Sequence, residues 1–373
     1  MRVLICPDKF AGTLSAAAAA EAVADGWRSA APDDELVLRP LSDGGTGFVD
    51  VLARSIDGER MPVTVCDPIG RPVPGEILLT PDTAYLESAQ ACGLHLLTPA
   101  ERNPRITTSY GLGLLVAAAV ERGARRIVVG LGGSATNDGG AGMLAALGVA
   151  PLDDAGYVLP YGGAALAACA ALSSDRPQLR DVEVVAATDV DNPLLGLHGA
   201  SSVYGPQKGA DRNDVLVLDA ALERFAGVLE VMLPTCPPGL GALPGGGAAG
   251  GLGAAILAVG GRVESGIGLV VRLSGLDAAL DRADLVLTGE GSFDAQSLRG
   301  KVVAGVAAGA AERGLPCVVL AGRVLAGRRE AAVAGVTDAY SLVEHFGALD
   351  AALARPAEGL RALGARLADQ YSR

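Results

Sequence analysis

The chain has 373 residues, enough for two domains, with a net charge of −12, half its residues apolar and 3% aromatic. That acidity argues against a nucleic-acid partner, and the longest uncharged stretch, residues 231–261, is too broken by Pro and Gly to span a membrane. Six scattered cysteines with no C-x-x-C pair, and no secretory signal at the N-terminus, fit a reduced, cytosolic protein.

Taken in chain order, an apolar run predicts a strand over Val3–Cys6, then an Ala-rich helix over Ser15–Ala30 and a strand over Glu35–Arg39. Residues 60–90, with Pro-Gly turns, predict short antiparallel strands. A helix over 109–122, a strand over 126–130, a helix over 140–147, a strand over 183–187 and a helix over 213–232 follow. The C-terminal part predicts strands at 285–288, 317–321 and 337–341, with helices at 296–313 and 356–371. Gly123, Gly148 and Gly314 stand where helix C-caps belong.

This rhythm predicts an α/β fold with mainly parallel strands. Residues 60–90 and the Gly- and Pro-rich 235–268 interrupt it. We therefore expect two α/β domains. Residues 1–60 with 275–373 form a Rossmann-like, doubly wound, mainly parallel sheet. Residues 61–274 form an inserted α/β domain with some antiparallel strands and much of the glycine-rich ligand site.

Ligands of open α/β sheets bind beyond the carboxyl ends of the strands. Acids stand at several such ends: Asp8, Asp43, Asp189, and Glu290 with Asp294. An Asp after a strand is also an ordinary turn or capping residue. Recurrence at four ends points instead to an acidic cleft holding Mg²⁺ and a general base for a hydroxyl. The histidines do not compete: His95 reads as a core residue, His198 lies near the Asp189 loop and His345 is peripheral. Neither a zinc set nor a serine triad is indicated.

The segment "GLGGSATNDGGAG" (130–142) follows the apolar "RRIVV". It admits three readings: backbone N–H groups cradling a nucleotide phosphate, a loose dinucleotide G-x-G-x-x-A, or a tight turn into a close-packed helix. The dinucleotide reading needs an acid such as Asp153 or Asp154, yet Pro151 and Gly156 make that stretch a turn. "GLGGSA" resembles the loop that lies over ATP phosphates in homoserine kinases and galactokinases. "GGGAAGGLGAA" (245–255) reads as a second anion cradle or as a hinge.

Only three of the 30 basic residues are lysine: Lys9, Lys208 and Lys301. A chain so biased to Arg keeps Lys where a compact ammonium does what a planar guanidinium does not, such as neutralising phosphate as a point charge. "YGPQKGA" (204–210) sets Gln207 and Lys208 between turn residues, which predicts that they face solvent or a cleft; Ser265 in "SGIG" is loop-like.

Eight blocks in order resemble one family. They are "PDKFAGTLSA" (7–16), "DGGTGF" (43–48), "GLGGSATNDGGAGMLAALG" (130–148), "DVDNPLLG" (189–196), "GPQKGA" (205–210), "GAAGGLGAA" (247–255), "SGI" (265–267) and "DLVLTGEGSFDAQSLRGKVVAGVA" (284–307). The family is the bacterial type I glycerate kinases, also called glycerate 2-kinases. The resemblance implies ATP-dependent phosphorylation of D-glycerate with Mg²⁺, 2-phosphoglycerate being favoured over 3-phosphoglycerate, in two α/β domains flanking a cleft. Two positions depart from the family pattern: Ala11 stands where Lys is usual, with Lys9 two residues earlier, and Thr46 where Glu is frequent.

On this reading Gly132, Gly133, Ser134, Asn137 and Asp138 bind the nucleotide. Lys208 neutralises the transferred phosphoryl group, and Asp189 takes the hydroxyl proton. Asp8, Lys9, Thr13, Ser15 and Ser265 contact D-glycerate, and Asp43, Glu290 and Asp294 hold Mg²⁺. A homodimer stays open. The alternatives are a dinucleotide-dependent oxidoreductase of a small hydroxy acid and a non-catalytic metabolite-binding protein.

Overall fold

The structure, a computed structural model, describes residues 1–179, 181–298 and 302–372, so Lys301 lies outside the described residues. The strands in chain order begin with β1 (Arg2–Ile5), β2 (Glu35–Leu38), β3 (Glu59–Cys66), β4 (Pro72–Leu79), β5 (Thr83–Glu87) and β6 (Arg126–Gly130). They continue with β7 (Pro151–Leu152), β8 (Ala171–Leu172), β9 (Glu183–Ala187), β10 (Arg262–Glu264), β11 (Leu285–Phe293), β12 (Cys317–Val324) and β13 (Asp338–Ser341).

The chain divides into two compact units, one of Met1–Asp43, Asp50–Ile56 and Gly266–Arg373, the other of Gly44–Val49 and Asp57–Ser265. The first holds a five-stranded sheet in the order β13-β12-β11-β1-β2, every neighbouring pair parallel. The first halves of its central strands are buried and largely apolar, as expected for a sheet packed on both faces. The helix Ala16–Ala30 packs on the helix Pro356–Tyr371 so closely that a Cβ on Gly26 would stand 1.9 Å from the Arg361 carbonyl oxygen. Trp27, fully buried, anchors that side of the core.

The second unit holds a six-stranded sheet, β10-β9-β6-β5-β4-β3. β10, β9, β6 and β5 are parallel, whereas β4 and β3 are antiparallel to their neighbours. Val, Ile and Ala of β6 and β9 are buried on both sides, while β3 alternates and leaves one face to solvent. No helix among the described residues is long and apolar enough to cross a membrane.

The mixed α/β class, with parallel sheets and some antiparallel strands, is as expected; several details differ. Residues 60–90 are not purely antiparallel, because β5 turns to pair parallel with β6. Residues 235–268 do not leave the α/β rhythm: they form the helix Leu252–Ala258 and β10, the edge of the parallel sheet. β11 runs past Thr288 to Phe293 because β12 continues to pair with it, so Glu290 lies within a strand. The following helix spans Val302–Glu312, shorter than 296–313. His95 is exposed in a short 3₁₀ turn, since the half-buried leucines on either side leave the imidazole outward.

Candidate active site

In the second unit, β5, β6, β9 and β10 deliver four loops to one edge of the parallel sheet. The loop after β6 is pinned by a short antiparallel bridge: Leu94 N–H donates to the Gly133 carbonyl at 2.8 Å and Ala135 N–H to that of Cys92 at 2.7 Å. Gly133 is exposed, with φ +66°. The Gly44–Gly47 segment packs against the same loop, backbone to backbone. A Cβ on Gly132 would stand 2.7 Å from Gly45 Cα, and one on Gly130 2.6 Å from the Gly44 carbonyl oxygen. Two of the glycine blocks thus require each other.

The second half of the segment is packed inside. Asp138, 1% exposed, accepts from Ser109 N–H and Oγ–H at 2.8 Å each, from Gly140 N–H at 3.1 Å and from Gly142 N–H at 3.2 Å. Burial raises its pKa, and these four donors oppose the shift. Gly139 N–H donates to the Gly250 carbonyl at 3.0 Å, and a Cβ on Gly250 would lie 1.9 Å from that of Thr136. The glycines at 245–255 therefore permit close packing, which differs from both the cradle and the hinge readings. The three readings of 130–142 divide along its length: a loop whose exposed tip is Gly133, flanked by half-buried Gly132 and buried Ser134, then a close-packed entry to the helix Ala141–Ala146.

Lys208 does not face solvent as the turn residues around it suggest; it is 2% exposed. Its short 3₁₀ turn is let into the unit by flanking glycines: a Cβ on Gly205 would meet the Ser201 carbonyl oxygen at 2.3 Å, and one on Gly209 that of Arg102 at 2.4 Å. The ammonium donates to Ser134 Oγ at 3.0 Å and to the Thr136 carbonyl at 2.6 Å. Burial pushes its pKa down to about 7, against the pull of the Asp138 charge. Asn137, fully buried, donates through Nδ2 to Ser201 Oγ at 2.9 Å. Among the described residues Asn137 Oδ1 and Thr136 Oγ1 are buried without a hydrogen-bond partner.

One strand over, beyond β9, Asp189 Oδ1 accepts from Ser265 Oγ at 2.6 Å. Asn192 shapes the same loop, donating to the His198 carbonyl at 2.8 Å and accepting from the Tyr204 hydroxyl at 2.7 Å. Glu87, Ser109 and Ser201, which shape this edge, carry no motif in the sequence. Glu87 ends β5 and accepts from Gly47 N–H at 3.0 Å. Glu87 stands at a parallel strand's end as Asp189 does, although the Pro-Gly turns before it read as antiparallel.

The first unit gathers charge around β1 and β11. Asp8 N–H donates to the Gly289 carbonyl at 2.8 Å, placing Asp8 and Lys9 beside Glu290 of β11. Lys9 Nζ lies 3.4 Å from Asp43 Oδ1 and 3.7 Å from Asp8 Oδ1. Thr13 and Ser15 serve local structure: Thr13 Oγ1 donates to the Phe10 carbonyl at 2.9 Å, and Ser15 caps the helix by accepting from Ala18 N–H at 3.1 Å. Asp294 Oδ1 accepts from Gln296 and Ser297 N–H in its own turn.

No group of three or more His, Cys, Asp or Glu among the described residues forms a metal cage. The hard oxygens of Asp43 and Glu290 fit a different mode, Mg²⁺ carried on phosphates and water and touched by one or two carboxylates.

A parallel-sheet edge bearing an exposed glycine loop, a lysine beneath it and a carboxylate beside it is the equipment of an α/β small-molecule kinase. Residues 3–372 match the glycerate kinase family. A glycerate kinase of Halalkalibacterium halodurans is 40% identical over 356 residues, covering 94% of this chain and 93% of the relative. Glycerate 2-kinase of Escherichia coli is 38% identical over 357 residues, with the same two coverages, 94% and 93%. The crystal structure of a Salmonella typhimurium LT2 protein described as a glycerate kinase 2 superposes with TM-score 0.80 at 37% identity, covering 99% of this chain and 98% of that one. The chain belongs to the glycerate kinase family, and it is a kinase. That sets aside the oxidoreductase and binding-protein alternatives. In the structure Asp153 closes a hairpin turn by accepting from Ala155 and Tyr157 N–H, so it is not the strand-end acid a dinucleotide site requires.

Proposed function

We propose that the protein transfers the γ-phosphoryl group of ATP to D-glycerate, at the 2-hydroxyl in preference to the 3-hydroxyl. The observation that carries this reading is the Gly132–Gly133 turn, its tip exposed at Gly133, lying directly on the buried Ser134–Lys208 pair, at the strand edge that also holds Asp189. Backbone N–H groups of the turn and Ser134 Oγ supply donors for phosphate oxygens. Asp138, buried and held by its donors, keeps that turn in shape, while Asn137 donates to Ser201 Oγ through Nδ2 and keeps Oδ1 without a partner among the described residues.

Asp189 accepts the proton of the attacking hydroxyl as its oxygen bonds to phosphorus and the bond to ADP breaks. Ser265 donates to Asp189 Oδ1 and so helps to orient the carboxylate. In the first unit, Lys9 is the candidate group for pairing with a carboxylate anion, in competition with Asp8 and Asp43. Asp43 and Glu290 would hold Mg²⁺, which supplies neutralisation of phosphate charge; Asp294, engaged in its own turn, serves it least well.

The test is incubation with ATP, Mg²⁺ and D-glycerate and assignment of the product by NMR. 2-Phosphoglycerate supports the proposal, 3-phosphoglycerate corrects its regiochemistry, and no phosphoglycerate refutes it. The homodimer has no observation behind it and is not part of this reading.

A further inference from the structure

We propose that Lys208 is a positioning residue that acts through Ser134: its ammonium donates to the serine Oγ, leaving the serine's own O–H to donate to the anion on the loop. This rests on the phosphate-loop reading above and changes the part Lys208 plays in it. A lysine that neutralises the moving phosphoryl group directly needs an ammonium open to the ligand. Here the ammonium is enclosed, with the Ser134 Oγ 3.0 Å and the Thr136 carbonyl oxygen 2.6 Å away.

A serine oxygen that accepts from an N–H cannot aim its own proton back along that line, so its donor direction is set by the lysine. The charge-assisted bond also polarises the hydroxyl, making it a stronger donor. The second bond, to Thr136, holds the backbone on the far side of Ala135 and fixes the turn that presents Ser134.

The surroundings are built for this. Gly205 and Gly209 admit the 3₁₀ turn because they lack the Cβ that at either position would collide with a carbonyl oxygen. The buried negative charge of Asp138 is locked by four donors. The ionisable groups that act on the lysine are Asp138 and Cys92, and burial pushes the Cys92 thiol well up, so it stays neutral. A guanidinium needs more room and five partners, and this enclosure offers two acceptors.

The test is a double-mutant cycle on kcat and on ATP affinity by calorimetry, with Ser134→Ala, Lys208→Met and the double variant, each checked for folding by thermal melt. We expect each single variant to lower kcat about 100-fold, as loss of one transition-state donor does, and the double variant to be no worse than about threefold below the poorer single one. Losses that multiply, to about 10⁴-fold, overturn the proposal, since they show the lysine reaching the phosphate by its own route. If Lys208→Met does not fold, the pH profile of Ser134→Ala decides. Wild-type kcat falls about tenfold per pH unit above about pH 7, as the lysine with its pKa of about 7 loses its proton. Ser134→Ala lacks that limb; a limb retained in Ser134→Ala overturns the proposal. A wild-type protein that neither turns over D-glycerate nor binds ATP sinks the phosphate-loop reading itself, and this inference with it. Turnover with multiplicative losses sinks only the inference.

Discussion

Ser109 gives both its N–H and its hydroxyl to a single oxygen of Asp138, Oδ2, at 2.8 Å each. The Ser109 Oγ in turn accepts from Met143 N–H at 3.0 Å, tying the start of one helix to the start of the next. Asp138→Asn sets an NH₂ against one or more of these donors, whichever way the amide turns. We expect a loss of about 2–4 kcal/mol, seen as a lower urea midpoint, because buried donors are left unpaired. A variant as stable as wild type would show that the four bonds contribute little.

Asp189→Asn should lower kcat by about 100-fold or more with little change in stability, since general-base groups contribute roughly 10²–10⁴. Ser265→Ala, which removes only the group bonded to Asp189 Oδ1, should cost less and act chiefly on kcat. Steady-state kinetics check both, and near-wild-type turnover in Asp189→Asn removes it as the base.

Lys9→Met should raise KM for D-glycerate about 10–100-fold, the range expected for a lost charge-assisted bond of about 1.5–3 kcal/mol, while KM for ATP stays within a factor of about two. Equal rises in both constants would place Lys9 outside the acid's site.

The buried Lys208 makes stability depend on pH with a definite sign. Its pKa falls from 10.5 to about 7 on folding, so between those values the unfolded chain binds the extra proton and stability rises with pH. Below about pH 7 both states are charged and the slope from this group vanishes. From pH 7 to 9 the rise should be about 2 kcal/mol and should be absent in Lys208→Met. Urea midpoints of the two proteins at the two pH values measure the difference; equal slopes would show that the ammonium is not desolvated.

Gly140 has φ +75°, and a Cβ there would lie 2.4 Å from that of Ala255. Gly140→Ala should cost about 2–4 kcal/mol, combining left-handed strain with overpacking. Gly123→Ala, at φ +85° with open space around it, should cost only about 1 kcal/mol, the strain alone. Melting curves separate the two, and similar losses would show that the packing of the two glycine segments is soft.

The alternation of apolar runs with Ala-rich stretches was enough to read the α/β class, because burial of a two-faced sheet and of one helix face imposes those periods locally. Strand-end position draws attention to Asp189 among several acids, and scarcity to Lys208 among three lysines, but only as candidates. What the chain order could not carry was the direction of each side chain. Asp138 and Ser134 are four residues apart in one glycine-rich run and both are buried, yet one is held by donors from Ser109 and the other by the Lys208 ammonium beneath the loop's tip. Lys208 reads as a surface turn residue until Arg102 and Ser201 are seen against its flanking glycines. Local sequence fixes periodicity and backbone freedom; which polar group is buried, and against what, depends on partners distant in the chain, 29 residues for Ser109 and Asp138 and 74 for Ser134 and Lys208, that only the folded chain brings within bonding distance.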